Sequence, residues 1–359
     1  MKNALLAAVA AAVLVLFPIP ALAAGKAYRV TLFSVSGVEG STGDREAGAD
    51  GAFWFPAAEY DNPSGGWKPR LQRLTPSGAL TTWDLDSTAR SFFPVAVRRH
   101  AETGRVHVLV PLTTEQRTLV YVLDPAAGTV VRTEIPFFMR SLRLDPQDGS
   151  AWLVGRDLVA RLAGGTLTTW TVPGVVEGAG RFDAARRLWL LTEAGVLLSM
   201  TPAGVIENWG NGSSLGTLLS VDETGTELWG VDGARDRLVR FRPASGERTE
   251  FPEVRAVSNW AGVAASAGTV LLAASYGPHV LASTTADRTD GTTTTLTATP
   301  SEAGPATTVA APAVPVTPVR TETTAASSVR TVYAPEEGGR SLFTTSGETY
   351  RSVLWSGGG

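Results

Sequence analysis

A unit of about forty residues repeats along the chain, and this repeat restricts the fold more than any other feature of the sequence. Two copies read LWLLTEAGVLLSMTPAGVIENW (188–209) and LWGVDGARDRLVRFRPASGERTEF (228–251), each with a tryptophan, a turn and an aromatic-ended strand in the same order. Successive pairs among the first six copies are 53, 45, 37, 40 and 42 residues apart. Seven copies can be aligned on an apolar pair that follows a turn, the last with the weakest pattern: Phe53-Trp54, Val106-His107, Ala151-Trp152, Leu188-Trp189, Leu228-Trp229, Val270-Leu271 and Leu342-Phe343.

Each copy has the pattern of four short strands joined by tight turns. In the third copy, SLRLDP (141–146) is followed by AWLVG (151–155), LVARL (158–162) and TLTTWTV (166–172). Proline presets φ near about −65° early in a turn and glycine permits a positive φ late in it, so clusters of these residues predict hairpins. Such clusters precede the fourth strand in five copies: TPSG (75–78), DPAAG (124–128), AGG (163–165), TPAG (201–204) and RPASG (242–246). Four-stranded meanders at this period are typical of a β-propeller.

The two ends of the chain predict how the ring closes. The segment AYRVTLFSV (27–35) resembles the outer strand of a blade, and residues 328–355 supply three strands of another. We expect the N-terminal strand to complete that last blade, which removes an exposed sheet edge. The predicted fold is therefore all-β, a propeller of seven four-stranded blades closed by the N-terminal strand.

One stretch interrupts the repeat. Residues 285–327 are rich in Thr, Ala and Pro, with too few large apolar side chains to form a core. We expect an exposed loop between the sixth and seventh blades, or a linker to a C-terminal tail, in which case the ring has six blades. The predicted organisation is a signal peptide (1–23), blades one to six with the N-terminal closing strand (24–284), the loop or linker (285–327), and closing strands or a tail (328–359).

The N-terminus has the pattern of a secretory signal. Lys2 precedes an apolar run from Ala4 to Phe17, and a small-residue site ends at Ala23, where we expect cleavage. The run spans about 21 Å as a helix, less than the roughly 30 Å hydrocarbon core, so a membrane anchor is not favoured. No later stretch is apolar over about 18 residues, so no span is expected in the mature chain. The predicted location is secreted, periplasmic or at the cell surface.

Composition excludes several classes of site. The chain contains 0 Cys, which rules out disulfides, thiolate metal sites and the acylated cysteine of a lipoprotein. Its formal charge of −3 lacks the basic excess of a nucleic-acid-binding protein. We therefore expect no nucleic-acid partner. The charge identifies no other partner, and for an exported protein we expect a protein, peptide or glycan outside the cytoplasm.

The repeats quoted above resemble those of the virginiamycin B lyase (streptogramin lyase) family over residues 50–280. The resemblance implies a seven-bladed ring. It also implies a lyase that opens a cyclic depsipeptide with a histidine base and a magnesium ion, the histidine lying in a Pro-His-Gly run at the start of an innermost strand. None of the corresponding strand starts here contains histidine: FFPVAV (92–97), FFMRSLRL (137–144), GVVEGAGRF (174–182), GTLLSV (216–221) and NWAGVA (259–264).

Those strand starts supply the candidate binding residues, because a propeller presents them at one mouth of its channel. They combine charge, amide and an aromatic plane in Arg140, Glu177, Asn259 and Trp260, either as a binding face or as channel groups bonded to one another and to water. Trp67, in the loop DNPSGGWKPR (61–70), is a candidate exposed contact. The recurring Trp152, Trp189 and Trp229 are expected in the core between blades.

The leading hypothesis is an exported, non-catalytic propeller that acts by binding or as an envelope or extracellular structural protein, without a cofactor. No catalytic residue is assigned, and His100, His107 and His279 are each interpreted as solvated or packed. The alternative is a lyase or lactonase-type hydrolase in which Glu177, His279 and Asp232 surround a divalent cation such as Mg²⁺ or Ca²⁺.

Overall fold

The computed structural model describes most of the chain as β-strands and turns. The described residues are 27–34, 46–47, 50–61, 65–86, 94–210, 218–221, 224–232, 237–251, 260–266, 269–274, 280–285, 292–301, 304–324, 326–333, 341–342 and 353–354. The expected signal peptide lies outside them. Within these ranges every regular element is a strand, and no helix has the length and apolarity to cross a membrane.

Strands from the repeats form antiparallel meanders, so the four-strand pattern expected from the sequence is confirmed for the first five sheets. After β1 (Ala27–Ser34), sheet one contains β2 (Glu46–Ala47), β3 (Phe53–Asp61), β4 (Gly66–Leu74) and β5 (Ala79–Asp84). Sheet two contains β6 (Ala96–Arg99), β7 (Val106–Leu112), β8 (Arg117–Asp124) and β9 (Thr129–Ile135). Sheet three contains β10 (Met139–Leu144), β11 (Ala151–Gly155), β12 (Leu158–Ala163) and β13 (Thr166–Thr171).

The meanders continue into the next three sheets. Sheet four contains β14 (Val175–Phe182), β15 (Leu188–Thr192), β16 (Leu197–Met200) and β17 (Ile206–Asn208). Sheet five contains β18 (Leu218–Val221), β19 (Leu228–Asp232), β20 (Arg237–Arg242) and β21 (Glu247–Phe251). Sheet six begins with β22 (Trp260–Ser266), β23 (Thr269–Ala274) and β24 (Val280–Thr285). The innermost strands of sheets one to six contact one another in chain order, which gives a propeller-like arrangement.

The Thr/Ala/Pro-rich stretch contains strands where the sequence suggested a loop or linker. They are β25 (Thr292–Thr295), β26 (Thr299–Ser301), β27 (Thr307–Ala310), β28 (Val314–Val316) and β29 (Val319–Thr324). We call residues 292–324 the strap. Each strap strand pairs antiparallel with the outermost strand of a different sheet, in the order five, four, three, two, one. The stretch needs no core of its own, because its backbone groups are paired by the sheets it crosses.

Between and at the ends of its strands, the strap places small or apolar side chains at the junctions of neighbouring sheets. Leu296 and Ala298 pack against the core between sheets four and five. Ala311 is buried in the core between sheets two and three, and Val316 packs against the core between sheets one and two. The strap therefore contributes to three of the apolar interfaces that hold the sheets together.

The strap also approaches the hairpin turns closely enough to require glycine. The amide of Leu296 donates to the carbonyl of Gly246 at 2.7 Å, and the amide of Ala311 donates to that of Gly165 at 2.8 Å. Gly246 has a φ of 69°, and a Cβ there would lie 2.1 Å from the carbonyl oxygen of Leu296. Gly246, predicted from its turn cluster, therefore sets both the turn conformation and the space for the strap.

The recurring tryptophans lie in the core, as predicted. Trp152 and Trp189 are 0% exposed and Trp229 is 2% exposed. In sheets three and five the residue opposite the tryptophan on the next strand is an arginine, Arg161 or Arg240, whose guanidinium lies 5.8 Å from the ring centroid. These pairs combine apolar burial with a cation–π contact.

Buried polar groups link neighbouring sheets as well. Asp86, which follows the outer strand of sheet one, accepts hydrogen bonds from Tyr121 at 3.0 Å and Arg132 at 2.8 Å, both on sheet two. Asp145 of sheet three is 0% exposed and accepts a 2.6 Å bond from Arg186 of sheet four. Such bonds fix the angle between sheets, because a buried carboxylate is costly without its partners.

The terminal strands belong to two further pairings. The remaining strands are β30 (Ala326–Tyr333), β31 (Ser341–Leu342) and β32 (Val353–Leu354). The N-terminal β1 lies between β30 and β32 in a seventh, three-stranded sheet, so its pairing with the C-terminal segment occurs as expected. In contrast, Leu342 was expected on the second strand of a last blade, and it pairs instead with Val280 of sheet six.

Candidate functional site

The structure places three of the four predicted channel-mouth residues on innermost strands without establishing a common site. Arg140 lies near the start of β10, is exposed, and holds its guanidinium 5.1 Å from the ring centroid of Phe138. Glu177 lies on β14 and Trp260 begins β22. The side chains of Glu177 and Trp260, and all of Asn259, lie outside the described residues. Their grouping as a binding face stays a prediction.

Trp67 lies just after the turn that joins β3 and β4. It is directly opposite Tyr60 in the register, and the two rings meet edge to face with centroids 5.0 Å apart. Trp67 is half-buried, whereas Tyr60 is 43% exposed. The aromatic surface of this hairpin is therefore shared between the two residues, and Tyr60 is the more exposed of them.

The residues of the alternative metal-assisted site are not assembled in the part of the structure that can be described. Asp232 ends β19, but its side chain and His279 lie outside the described residues. Glu193, an acid that follows β15 as Asp232 ends β19, forms an exposed ion pair with Arg156 at 3.2 Å. Across the described ranges, no three potential metal-ligating side chains come together. His100 and His107 are buried, at 5% and 9% exposure, in agreement with their interpretation as packed residues.

A polar groove opens where the strap passes the junction of sheets one and two. We call it the strap groove, and its volume is about 400 Å³. One wall comes from sheet one and its strap strand, and the other from the turns of sheet two. It is lined by Asp50, Trp54, Arg73, Thr81, Trp83, Arg99, Thr103, Gly104, Asp124, Pro125, Ala126 and Arg320.

Two stacked indoles form the sheet-one wall, with an arginine on each. Trp54 and Trp83 are stacked with centroids 5.2 Å apart and planes 21° from parallel. Arg73 lies over Trp54 at 5.8 Å, and Arg320 of the strap lies over Trp83 at 5.9 Å. Because both rings are less than one-twentieth exposed, the groove surface is formed mainly by the guanidinium groups and the ring edges. The strap thus completes this wall of the groove with a positive charge.

Both acids of the groove already have partners. Asp50 accepts a 2.5 Å hydrogen bond from Arg73, and this bond holds the pKa of Asp50 below its ordinary value. Asp124 caps its own turn by accepting from the amides of Ala126 and Ala127 at 3.1 and 3.0 Å. Asp124 also lies 3.9 Å from the Nε atom of Arg105. Neither acid forms an ion pair with Arg99 or with Arg320 among the described contacts, and the carboxylate partner of Arg320 is Glu322 on the same strand.

Sequence reasoning did not find this groove, because it depends on where the strap lies. Arg73 and Arg99 read as ordinary strand residues, and Arg320 fell in the presumed loop. A signal was present in the repeated phrase VRTE, which occurs in the outer strand β9 (131–134) and again in β29 (319–322). That repetition marks residues 319–324 as an outer strand, although it does not identify the sheet that they join.

Comparisons with known proteins do not identify a function for this groove. No family model matches the sequence, and no curated protein is detectably similar to it. Among solved structures, the fold is similar to a 6-phosphogluconolactonase-like protein from Bacteroides uniformis, with 12% identity and a TM-score of 0.33 over 79% of this chain and 99% of that one. Similarity at this level assigns no activity. The likeness to virginiamycin B lyases therefore stays a resemblance of the repeats.

Proposed function

We propose that the protein is an exported, non-catalytic binding protein that holds a small polar ligand in the strap groove. The observation that carries the proposal is the groove itself, an opening of about 400 Å³ between two sheets, lined by charged groups on both walls. Ligand sites in proteins occupy roughly 300–1,000 Å³ and commonly lie between packed units. The groove therefore has the size and position of a small-molecule site.

The surroundings of the groove favour binding by a preformed surface. Its sheet-one wall contains the stacked pair Trp54 and Trp83, and the buried bond from Tyr121 to Asp86 joins the same two sheets. A rigid wall reduces the entropy lost when a ligand binds. The strap strand β29 adds six paired residues along the outer edge of sheet one, which supports the same wall.

The proposed body is a seven-bladed propeller, with the sheet of β1, β30 and β32 as its seventh blade. The path of the strap supports this closure. It crosses sheets five to one in descending order, and β30 begins two residues after β29 ends. The chain then reaches β24 of sheet six through β31. A descending path from five to one, then to seven and six, fits a ring in which the seventh sheet lies between the first and the sixth.

Export is proposed from the signal-like N-terminus, and N-terminal sequencing of the secreted protein tests it directly. We expect the mature chain to begin at Ala24. Retention of the full chain in the cytoplasm would contradict this part of the proposal.

Thermal unfolding of the mature chain tests the non-catalytic assignment against the metal-assisted alternative. A ligand that binds the native state raises the unfolding midpoint by mass action. We expect the same midpoint in EDTA and in millimolar Mg²⁺ or Ca²⁺ at matched ionic strength. A saturable rise with either cation would favour the lyase or lactonase alternative over a metal-independent binding protein.

A further inference from the structure

The charges of the strap groove are unequal, and the excess is positive. Three arginines and two aspartates line it. Asp50 is bonded to Arg73, and Asp124 is bonded to the turn at Ala126 and lies 3.9 Å from Arg105. The two arginines that are not bonded to these aspartates are Arg99 and Arg320, one on each wall, and Arg320 is paired only with the exposed Glu322 of its own strand. A groove with cations on opposite walls has the electrostatics of an anion site.

Arg99 ends the innermost strand of sheet two, where the chain turns toward β7. Its side chain is half-buried, and it has no ion-pair partner among the described residues. The turn leaves room beside it, because Gly104 has no side chain and a Cβ there would lie 3.6 Å from the Nη2 atom of Arg99. A partly buried guanidinium is costly to leave unpaired, so an anion in the groove would stabilise it.

Arg320 comes from the opposite wall and is easier to reach. Its side chain is 57% exposed, and its carboxylate partner is Glu322 of the same strand, itself 65% exposed. Exposed pairs of this kind contribute little to stability and exchange readily with solvent. The stack on Trp83 sets the orientation of the guanidinium, and its N–H groups remain able to donate to a ligand.

We infer that the strap groove recognises an oxyanion, a phosphate or carboxylate group of a small organic molecule, held between Arg99 and Arg320. Guanidinium groups suit both anions because their N–H donors match two oxygens of one acceptor. This inference rests on the proposed binding function and names its ligand class. It also gives the strap a second role, since the strap supplies one of the two recognising side chains.

Titration with inorganic phosphate and with succinate tests the inference and separates the two anion sources. The unfolding midpoint of the mature chain is measured in EDTA with increasing millimolar concentrations of each probe, against sodium chloride at the same ionic strength. We expect a saturable rise with at least one probe. A larger response to phosphate identifies a phosphorylated ligand, and a larger response to succinate identifies a carboxylic acid.

Two variants and a control locate the response. Arg99→Gln and Arg320→Gln should each weaken the probe's apparent affinity about tenfold, since each removes a charge-assisted hydrogen bond. Arg320 lies on an exposed strand, so Arg320→Gln should fold normally. This variant keeps the test valid if Arg99→Gln folds poorly. Arg117→Gln is the matched control, because Arg117 is an exposed arginine bonded to Glu115 and Glu134 away from the groove. It should respond like the native protein.

The oxyanion inference is overturned if neither probe raises the midpoint above the chloride control, or if all three variants respond equally. Either result would still be compatible with the proposed binding function, but with an uncharged ligand in the groove. A cation-dependent rise in the metal titration would instead contradict the proposed function. Failure of the oxyanion inference and failure of the proposed function therefore give different experimental results.

Discussion

The guanidinium of Arg320 lies 5.9 Å from the ring centroid of Trp83, although 237 residues separate the two in the chain. Trp83 belongs to the outer strand of the first repeat, and Arg320 belongs to the strap strand directly opposite it in the register. The contact joins the strap to the body of sheet one and also places a positive charge in the strap groove. The position of the strap therefore affects both the stability of sheet one and the charge of the groove.

Gly246→Ala should destabilise the protein by about 3 kcal/mol, because the added methyl group meets the strap backbone and the residue keeps a positive φ. The Cβ would lie 2.1 Å from the carbonyl oxygen of Leu296. Gly128→Ala is the matched control, with a φ of 67° and no heavy atom within 4 Å of the Cβ. It should cost only about 1 kcal/mol, the penalty of the left-handed backbone. Equal losses in urea denaturation would place the strap away from Gly246.

Ala311→Asp should loosen the strap, because it buries a carboxylate between sheets two and three. Ala311 is 3% exposed, whereas Ala313, two residues later, is exposed and suits the control Ala313→Asp. Limited proteolysis followed by mass spectrometry should show faster cleavage within residues 292–324 for the first variant alone. Equal cleavage of both variants would contradict the burial of Ala311.

Tyr121→Phe should cost about 1–2 kcal/mol, the usual loss when a buried carboxylate gives up one hydrogen bond. The Tyr121 hydroxyl donates to Asp86 at 3.0 Å across the junction of sheets one and two. Tyr60→Phe removes a hydroxyl from a 43% exposed side chain and should change the free energy of unfolding by less than about 0.5 kcal/mol. If the two variants are equally stable, the Tyr121 bond does not stabilise the junction.

The burial of His107 should make the protein less stable in mild acid. Burial lowers its pKa to about 4, and electrostatic repulsion from His100 and Arg105 lowers it in the same direction. In the unfolded chain His107 is protonated with a pKa near 6.5, whereas in the folded protein it is protonated only near pH 4. The free energy of unfolding therefore falls as the pH drops from about 6.5 to about 4. Between about pH 7 and pH 5 the loss should be about 2 kcal/mol.

His107→Gln removes this titration while keeping a polar side chain. Chemical denaturation at both pH values should show a much smaller loss for the variant than for the native protein. The same loss in both proteins would assign the acid sensitivity to other groups.

The repeat predicted the local structure well because its signals are local. Trp152 and Trp189 lie in the core, and Gly78 and Gly204 take the positive φ that their turn clusters require. The path of the strap could not be predicted in the same way. Thr and Pro along residues 292–324 indicate an extended, exposed chain, but they do not specify which of several similar sheet edges each strand will join. The strap groove was missed for the same reason, since it forms only where Arg320 meets sheets one and two.

The most direct test of the strap uses the absence of native cysteine, since the chain contains 0 Cys and any introduced pair can be followed without background. Thr168 of sheet three lies opposite Thr308 of the strap, with their hydroxyl oxygens 3.3 Å apart. Directly opposed residues of an antiparallel pair come close enough for a disulfide. Thr168→Cys with Thr308→Cys should therefore oxidise to an intramolecular disulfide, read by intact mass and by gel mobility.

The matched control pairs Thr168→Cys with Thr323→Cys, an equally exposed strap position that lies on sheet one. Rapid bridging of the first pair alone is the predicted result. If the first pair stays reduced, or forms its disulfide no faster than the control pair, the strap does not pair with β13 of sheet three.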